Sequence, residues 1–160
     1  MSVNKRLPHV FVLPEDDANR QLARGFLLGL DPRAFRQMHV LKPVGGWLKV
    51  LDGFGADHIA DMDRYTKRFM VLLIDFDEQK DRLNFARERI PEHLRDRVFI
   101  LGAWSEPEAL KPDLGSYETI GRALAKDCHE GTDATWGHDL LLHNAIEIDR
   151  LRQHVRPILF

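Results

Sequence analysis

The sequence predicts an α/β domain, with a mostly parallel central sheet of about four strands and helices on both faces. Three observations carry this. Apolar runs of strand length, HVFVLP and RFMVLLIDFD, recur between segments of helical periodicity. Strand and helix alternate along the chain, as parallel neighbours require, because only a crossover returns the chain to the same edge. Both strong strand candidates also stop at carboxylates, Glu15-Asp16-Asp17 after the first and Asp75 and Asp77 at the end of the second.

Taken in order, 9–14 reads as a short buried strand. The segment 15–29 then opens with an acidic turn suited to the positive end of a helix dipole and places Ala18, Leu22, Phe26 and Gly29 at helical spacing. RQMHVLKP, 36–43, alternates loosely and stops at Pro43, which predicts a weaker strand. Glycine-punctuated helical pieces follow, with Trp47, Val50 and Leu51 on one apolar face and Ile59 and Met62 on another. The run 68–77 is the central strand, buried on both faces. KDRLNFARERI is a helix closed by Pro91, and RVFILGAW is a further strand. Ser116 and Glu118 mark the start of the next helix. The last helix is expected within GHDLLLHNAIEIDRLRQHV, with Leu141, Ala145, Ile148 and Val155 on one stripe.

The 160 residues fit a single α/β domain, 1–160, divided into a core over 1–112 and a C-terminal helical extension over 113–160. With 44% apolar and 30% charged residues, no apolar run approaches the roughly 18 residues needed to cross a bilayer. Lys5 and Arg6 precede a short apolar stretch, but acids follow at once without a small-residue cleavage site, so a cytoplasmic protein is expected. The one cysteine, Cys128, forms no internal disulfide. A net charge of -2 gives no global pull on nucleic acid. Local basic clusters remain at Lys80, Arg82, Arg87, Arg89, Arg95 and Arg97, and at Arg150, Arg152 and Arg156; solvated helix faces are the favoured explanation for each.

The chemistry concentrates in the carboxylates. Side chains two apart on a strand share a face, so Asp75 and Asp77 are expected to project together. Two ionised carboxylates held close raise each other's pKa, and a hard divalent cation removes the conflict. If the first and third strands are neighbours, Glu15 arrives at the same edge, with Asp16 or Asp17 as a fourth acid. Caps and solvated loop charges are the competing explanation, most directly for Asp17.

An apolar strand ending in Glu, a helix, an intervening strand and helix, then an apolar strand ending in Asp-x-Asp resembles the TOPRIM domain of topoisomerases, bacterial-type primases, OLD-type nucleases and recombination proteins. The resemblance covers about the first two-thirds of the chain. It implies Glu15 as the catalytic general acid/base or a metal ligand, Asp75 and Asp77 as ligands of Mg²⁺ or Mn²⁺, and phosphodiester chemistry on DNA or RNA. Asp16 is a candidate further ligand, and Lys80 and Arg82 are candidate phosphate contacts. The family often has Gly just after the Glu and again soon after the Asp pair, where this chain has Asp16 and then Glu78, Gln79 and Lys80.

LPEDDANRQLARGFLL resembles the opening of a response-regulator receiver domain, a signalling and protein-interaction module. That resemblance implies Asp16 and Asp17 as Mg²⁺ ligands beside a phosphorylated Asp75, and Ser105 as the switch hydroxyl. The separation of 58 positions from Asp17 to Asp75 exceeds a receiver's spacing, and no fifth strand ending in Lys-Pro is evident.

Other arrangements are weaker. Glu106 and Glu108 follow the last strand at the same edge. Asp139, His143 and Glu147 are spaced four apart, as on one helix face. Cys128, His129 and His138 lack zinc spacing. Trp104 and Trp136 suit either base stacking or the core. No glycine-rich phosphate loop and no nucleophile elbow occurs. The apolar terminus PILF is left to dock on the core or on a second subunit, as in a homodimer.

Overall fold

The structure, a computed structural model, describes residues 2–160. Strands β1 (His9–Pro14), β2 (Met38–Val40), β3 (Arg68–Leu73) and β4 (Val98–Leu101) form one all-parallel sheet in the order β2-β1-β3-β4. The helices are α1 (Asp17–Leu28), α2 (Trp47–Gly53), α3 (Ile59–Arg64), α4 (Arg82–Glu88), α5 (Lys111–Leu114), α6 (Tyr117–Glu130) and α7 (Ala145–Leu159). No helix among the described residues is long and apolar enough to cross a membrane.

Strand alternation sorts the core into two layers. Val10, Val12, Val71, Phe99 and Leu101 pack with α1, α6 and α7, whereas Leu13, Met70, Leu72, Val98 and Ile100 pack with α2, α3 and α4. The segment 113–160 belongs to the first layer, because Ile120, Leu124, Leu151, Val155 and Leu159 are all part of that cluster. Helices α1 and α6 approach closely at Gly25 and Gly121. A Cβ on Gly121 would stand 2.2 Å from the Leu22 carbonyl oxygen, so only glycine permits this contact. The terminus docks on the core, with Leu159 buried and Phe160 edge-on to Phe26.

Three boundaries differ from the sequence reading. β2 covers only three residues, because Pro32–Gln37 forms a 3-10 turn and Pro43 has no N–H to donate. β3 ends at Leu73. Its backbone bonding continues through Ile74 N–H to Leu101 O (2.9 Å) and Phe76 N–H to Ala103 O (3.1 Å), and the every-other-residue pattern then ends where Asp77 and Glu78 take left-handed φ angles of 47° and 59°. The last helix starts at Ala145, after a 3-10 turn over Leu142–Asn144, so Asp139, His143 and Glu147 share no helix face.

Glu147 and Asn144 have a different task. β4 lies at the edge of the sheet, where unpaired backbone groups would be left bare. Glu147 Oε2 accepts the Ile100 N–H at 2.9 Å, and Asn144 bonds both the N–H (3.2 Å) and the carbonyl (2.9 Å) of Gly102. The Trp104 N–H reaches the Leu140 carbonyl at 2.7 Å. Side chains and one loop carbonyl thus stand where a fifth strand would pair.

Candidate functional site

The connections diverge between β1 and β3. From β1 the chain passes to β2 on one side, and from β3 it passes to β4 on the other. In open α/β sheets, the crevice beyond the carboxyl ends at such a switch point is where ligands collect. Glu15, Asp16, Asp75 and Asp77 all lie there, because the register pairs Pro14 with Leu73 and brings both following segments to one edge.

Glu15 is fixed by its backbone. Its N–H donates to Leu73 O at 2.9 Å, and its carbonyl accepts from Gly45 N–H at 2.8 Å. Its carboxylate Oε2 accepts the Asp75 N–H at 2.6 Å. Burial raises the Glu15 pKa against that hydrogen bond, with Asp16 and Asp77 adding to the rise.

Asp16 caps α1, its Oδ1 accepting from the Asn19 N–H at 2.9 Å and from Asn19 Nδ2 at 3.0 Å. The same Nδ2 donates to Asp75 Oδ1 at 2.8 Å, so one fully buried amide ties the start of α1 to the acid beyond β3. Asn19 Oδ1 is buried without a partner. Asp17 points away, its side chain 62% exposed and bound to Gln21 (2.7 Å) and Arg20 (2.6 Å), which lower its pKa.

Asp75 is 7% exposed, and its pKa is pushed up to about 7. Burial is the largest cause; the Asn19 hydrogen bond opposes it, and Glu15, Asp16 and Asp77 add to it. Asp77 does not pair with Asp75 on a common strand face. The strand has already ended, and the left-handed backbone at Asp77 leaves its carboxylate exposed, with Oδ2 held by Arg82 Nη1 at 3.0 Å. Non-glycine residues rarely adopt that conformation.

Arg82 faces inward. Its side chain is 10% exposed, Nη1 also donates to Asp75 O at 2.7 Å, and the guanidinium lies 4.2 Å from the Trp47 ring centre. Lys80 is exposed in the turn before α4. Ser105 accepts the Asp77 N–H through its carbonyl at 3.3 Å, and its hydroxyl is buried without a partner. Glu106 and Glu108 are exposed; with Asp16 they surround Tyr117, whose pKa is raised by burial first and then by these charges.

The remaining candidates lie outside this edge. The His143 ring packs on Phe76 and Trp104, and burial lowers its pKa. Cys128 is buried with its thiol raised to about 11, while His138 pairs with Asp113 at 2.8 Å. Trp136 is in the core and donates to Leu124 O at 3.2 Å.

Asn19 is the residue that sequence reasoning missed. Its signal was readable: it precedes Leu22, Ala23 and Phe26 by three, four and seven positions, so it lies on the buried stripe of α1 as the one polar member. At this edge Glu15 bonds the Asp75 backbone, Asn19 bridges Asp16 to Asp75, and Arg82 holds the exposed Asp77. Among the described residues, however, no three His, Cys, Asp or Glu side chains are spaced to hold a metal ion. An acid poised to exchange a proton near neutrality is the chemical capacity that this arrangement offers. No protein-family model matches the chain, and neither curated proteins nor solved structures give a match.

Proposed function

We propose that this chain is a Mg²⁺-dependent, TOPRIM-like protein acting on nucleic-acid phosphodiesters. The observation that carries the reading is the meeting of Glu15 and Asp75 at the β1–β3 switch point, with the Asp75 proton held to about 7. The left-handed backbone at Asp77 and Glu78 supports it as well. This is the conformation glycine adopts most readily, at the place where the family often carries Gly.

The donor set fits a hard cation in its chemistry. Glu15, Asp75, Asp77 and Asp16 offer oxygen ligands only, the charges of Asp16 and Asp77 add to the burial that raises the pKa of Glu15 and Asp75, and the neighbouring Asn19 Oδ1 is unpartnered. These side chains are not preset as a cage, so coordination requires them to rotate. When bound, Mg²⁺ would polarise a phosphodiester and acidify an attacking water. Glu15 would move the proton, Asn19 orients Asp75, Arg82 holds Asp77, and Lys80 is free to meet a phosphate.

The Asn19 bridge from Asp16 to Asp75, with the unpartnered Ser105 hydroxyl nearby, favours a second reading as a receiver-like module phosphorylated on Asp75. Two assays separate them. Mg²⁺-dependent cleavage of labelled single- and double-stranded oligonucleotides, lost in Glu15→Gln, supports the first reading. Acetyl phosphate labelling of Asp75 without cleavage replaces it with the second.

A further inference from the structure

A polar cavity of about 290 Å³ lies away from the acidic edge, between α4, the 3-10 turn Glu92–Arg97, β4 and α7. Its walls carry Arg87, Arg95 and Arg150 with Glu147 and Asp96, and its apolar lining is Ile90, Val98 and Ile100. We propose that this cavity binds a small organic carboxylate, its anionic head on the guanidiniums and its apolar body on Ile90, Val98 and Ile100.

The fold alone does not require three guanidiniums. The buried carboxylate of Glu147 is already satisfied by Arg87 Nη2 at 2.8 Å, Arg150 Nη1 at 2.7 Å and the Ile100 N–H at 2.9 Å. Arg95 is the surplus cation. It folds back so that Nε donates to Ile90 O at 3.1 Å, which leaves its terminal nitrogens for another acceptor. Arg150 Nη2 donates to the Arg95 backbone carbonyl and so holds the turn that carries Arg95 beside α7.

Charge selects the ligand class. Three guanidiniums against the carboxylates of Glu147 and Asp96 leave one positive charge, which a monoanion balances and a phosphomonoester dianion overshoots. Guanidinium forks also match carboxylate geometry. The volume stands at the lower end of small-molecule pockets, enough for an aryl or short alkyl body.

Benzoate, benzyl alcohol and phenyl phosphate are the probes, titrated against the full chain while the Ile100 amide and the arginine Nε–H signals are followed by NMR. Benzoate is expected to shift Ile100 and to bind about tenfold tighter than benzyl alcohol. Arg95→Gln should weaken benzoate about fivefold with an unchanged Tm, since Arg95 makes one side-chain bond to the fold. Asp75→Asn should bind benzoate as wild type does. No shift at Ile100, an Arg95→Gln affinity equal to wild type, or tighter binding of phenyl phosphate than of benzoate would each overturn the assignment.

Discussion

The Glu15 carboxylate accepts the backbone N–H of Asp75 at 2.6 Å, joining the ends of β1 and β3 through one side chain. Beside this contact the Asp75 carboxyl is buried, with the Glu15, Asp16 and Asp77 charges as smaller additions, and the cost appears as pH dependence. The Asp75 pKa rises from 3.8 to about 7 on folding. Below pH ~4 both states carry the proton and nothing is lost. As pH climbs towards the folded value the unfolded chain alone ionises, so stability falls, and above it the whole cost is present, at most about 4 kcal/mol. Asp75→Asn should therefore flatten urea-unfolding stability across this range and raise it by ~1–3 kcal/mol above neutrality.

Asn19→Ala should act in the opposite direction on the proton. The amide hydrogen bond favours ionised Asp75, so its loss should raise the Asp75 pKa further, seen as a later midpoint in carboxyl ¹³C titration. Removing the bridge should also cost ~1–3 kcal/mol by leaving the buried Asp75 and the half-buried Asp16 each short of a donor.

Asn144→Ala should expose the edge of β4. Both backbone groups of Gly102 lose their partner, and the expected cost is ~1–3 kcal/mol. Hydrogen exchange at the Gly102 amide should accelerate beyond what global destabilisation explains, while the amides of β1 should follow the global change.

Gly121→Ala should separate α1 from α6. The new methyl would meet the Leu22 carbonyl at 2.2 Å and Gly25 Cα at 2.8 Å, so a loss above ~2 kcal/mol is expected in thermal unfolding. Asp16 and Asn19 sit at the start of α1, so metal or proton behaviour at Asp75 should change along with stability.

The layers of this fold were legible because buried parallel strands announce themselves. RFMVLLIDFD has no polar residue between Phe69 and Ile74, and two core layers follow from its alternation. Glu15 and Asp75 were legible for the same reason, since a strand end fixes where the next side chain emerges. Asp77 was not, because a left-handed backbone at a non-glycine residue breaks the period of two without a composition signal. In the sequence Glu147 reads as one of a stripe with Asp139 and His143 on the last helix, and Arg82 as one of a cluster that solvated helix faces explain. Both are held inside by partners remote in sequence, Ile100 for the first and Trp47 for the second, which no local pattern encodes. Asn19 depended on recognising one polar residue on an apolar stripe.

The most direct test of the acidic crevice as a cation site is the Tm of wild type and Asp75→Asn with and without Mg²⁺, at about pH 6 and about pH 8. Mg²⁺ should raise the wild-type Tm, more at the higher pH because the carboxylates must be ionised to bind, and should raise the Asp75→Asn Tm less. A wild-type Tm unmoved by Mg²⁺ and Mn²⁺ at the higher pH, or an equal rise in Asp75→Asn, would contradict it.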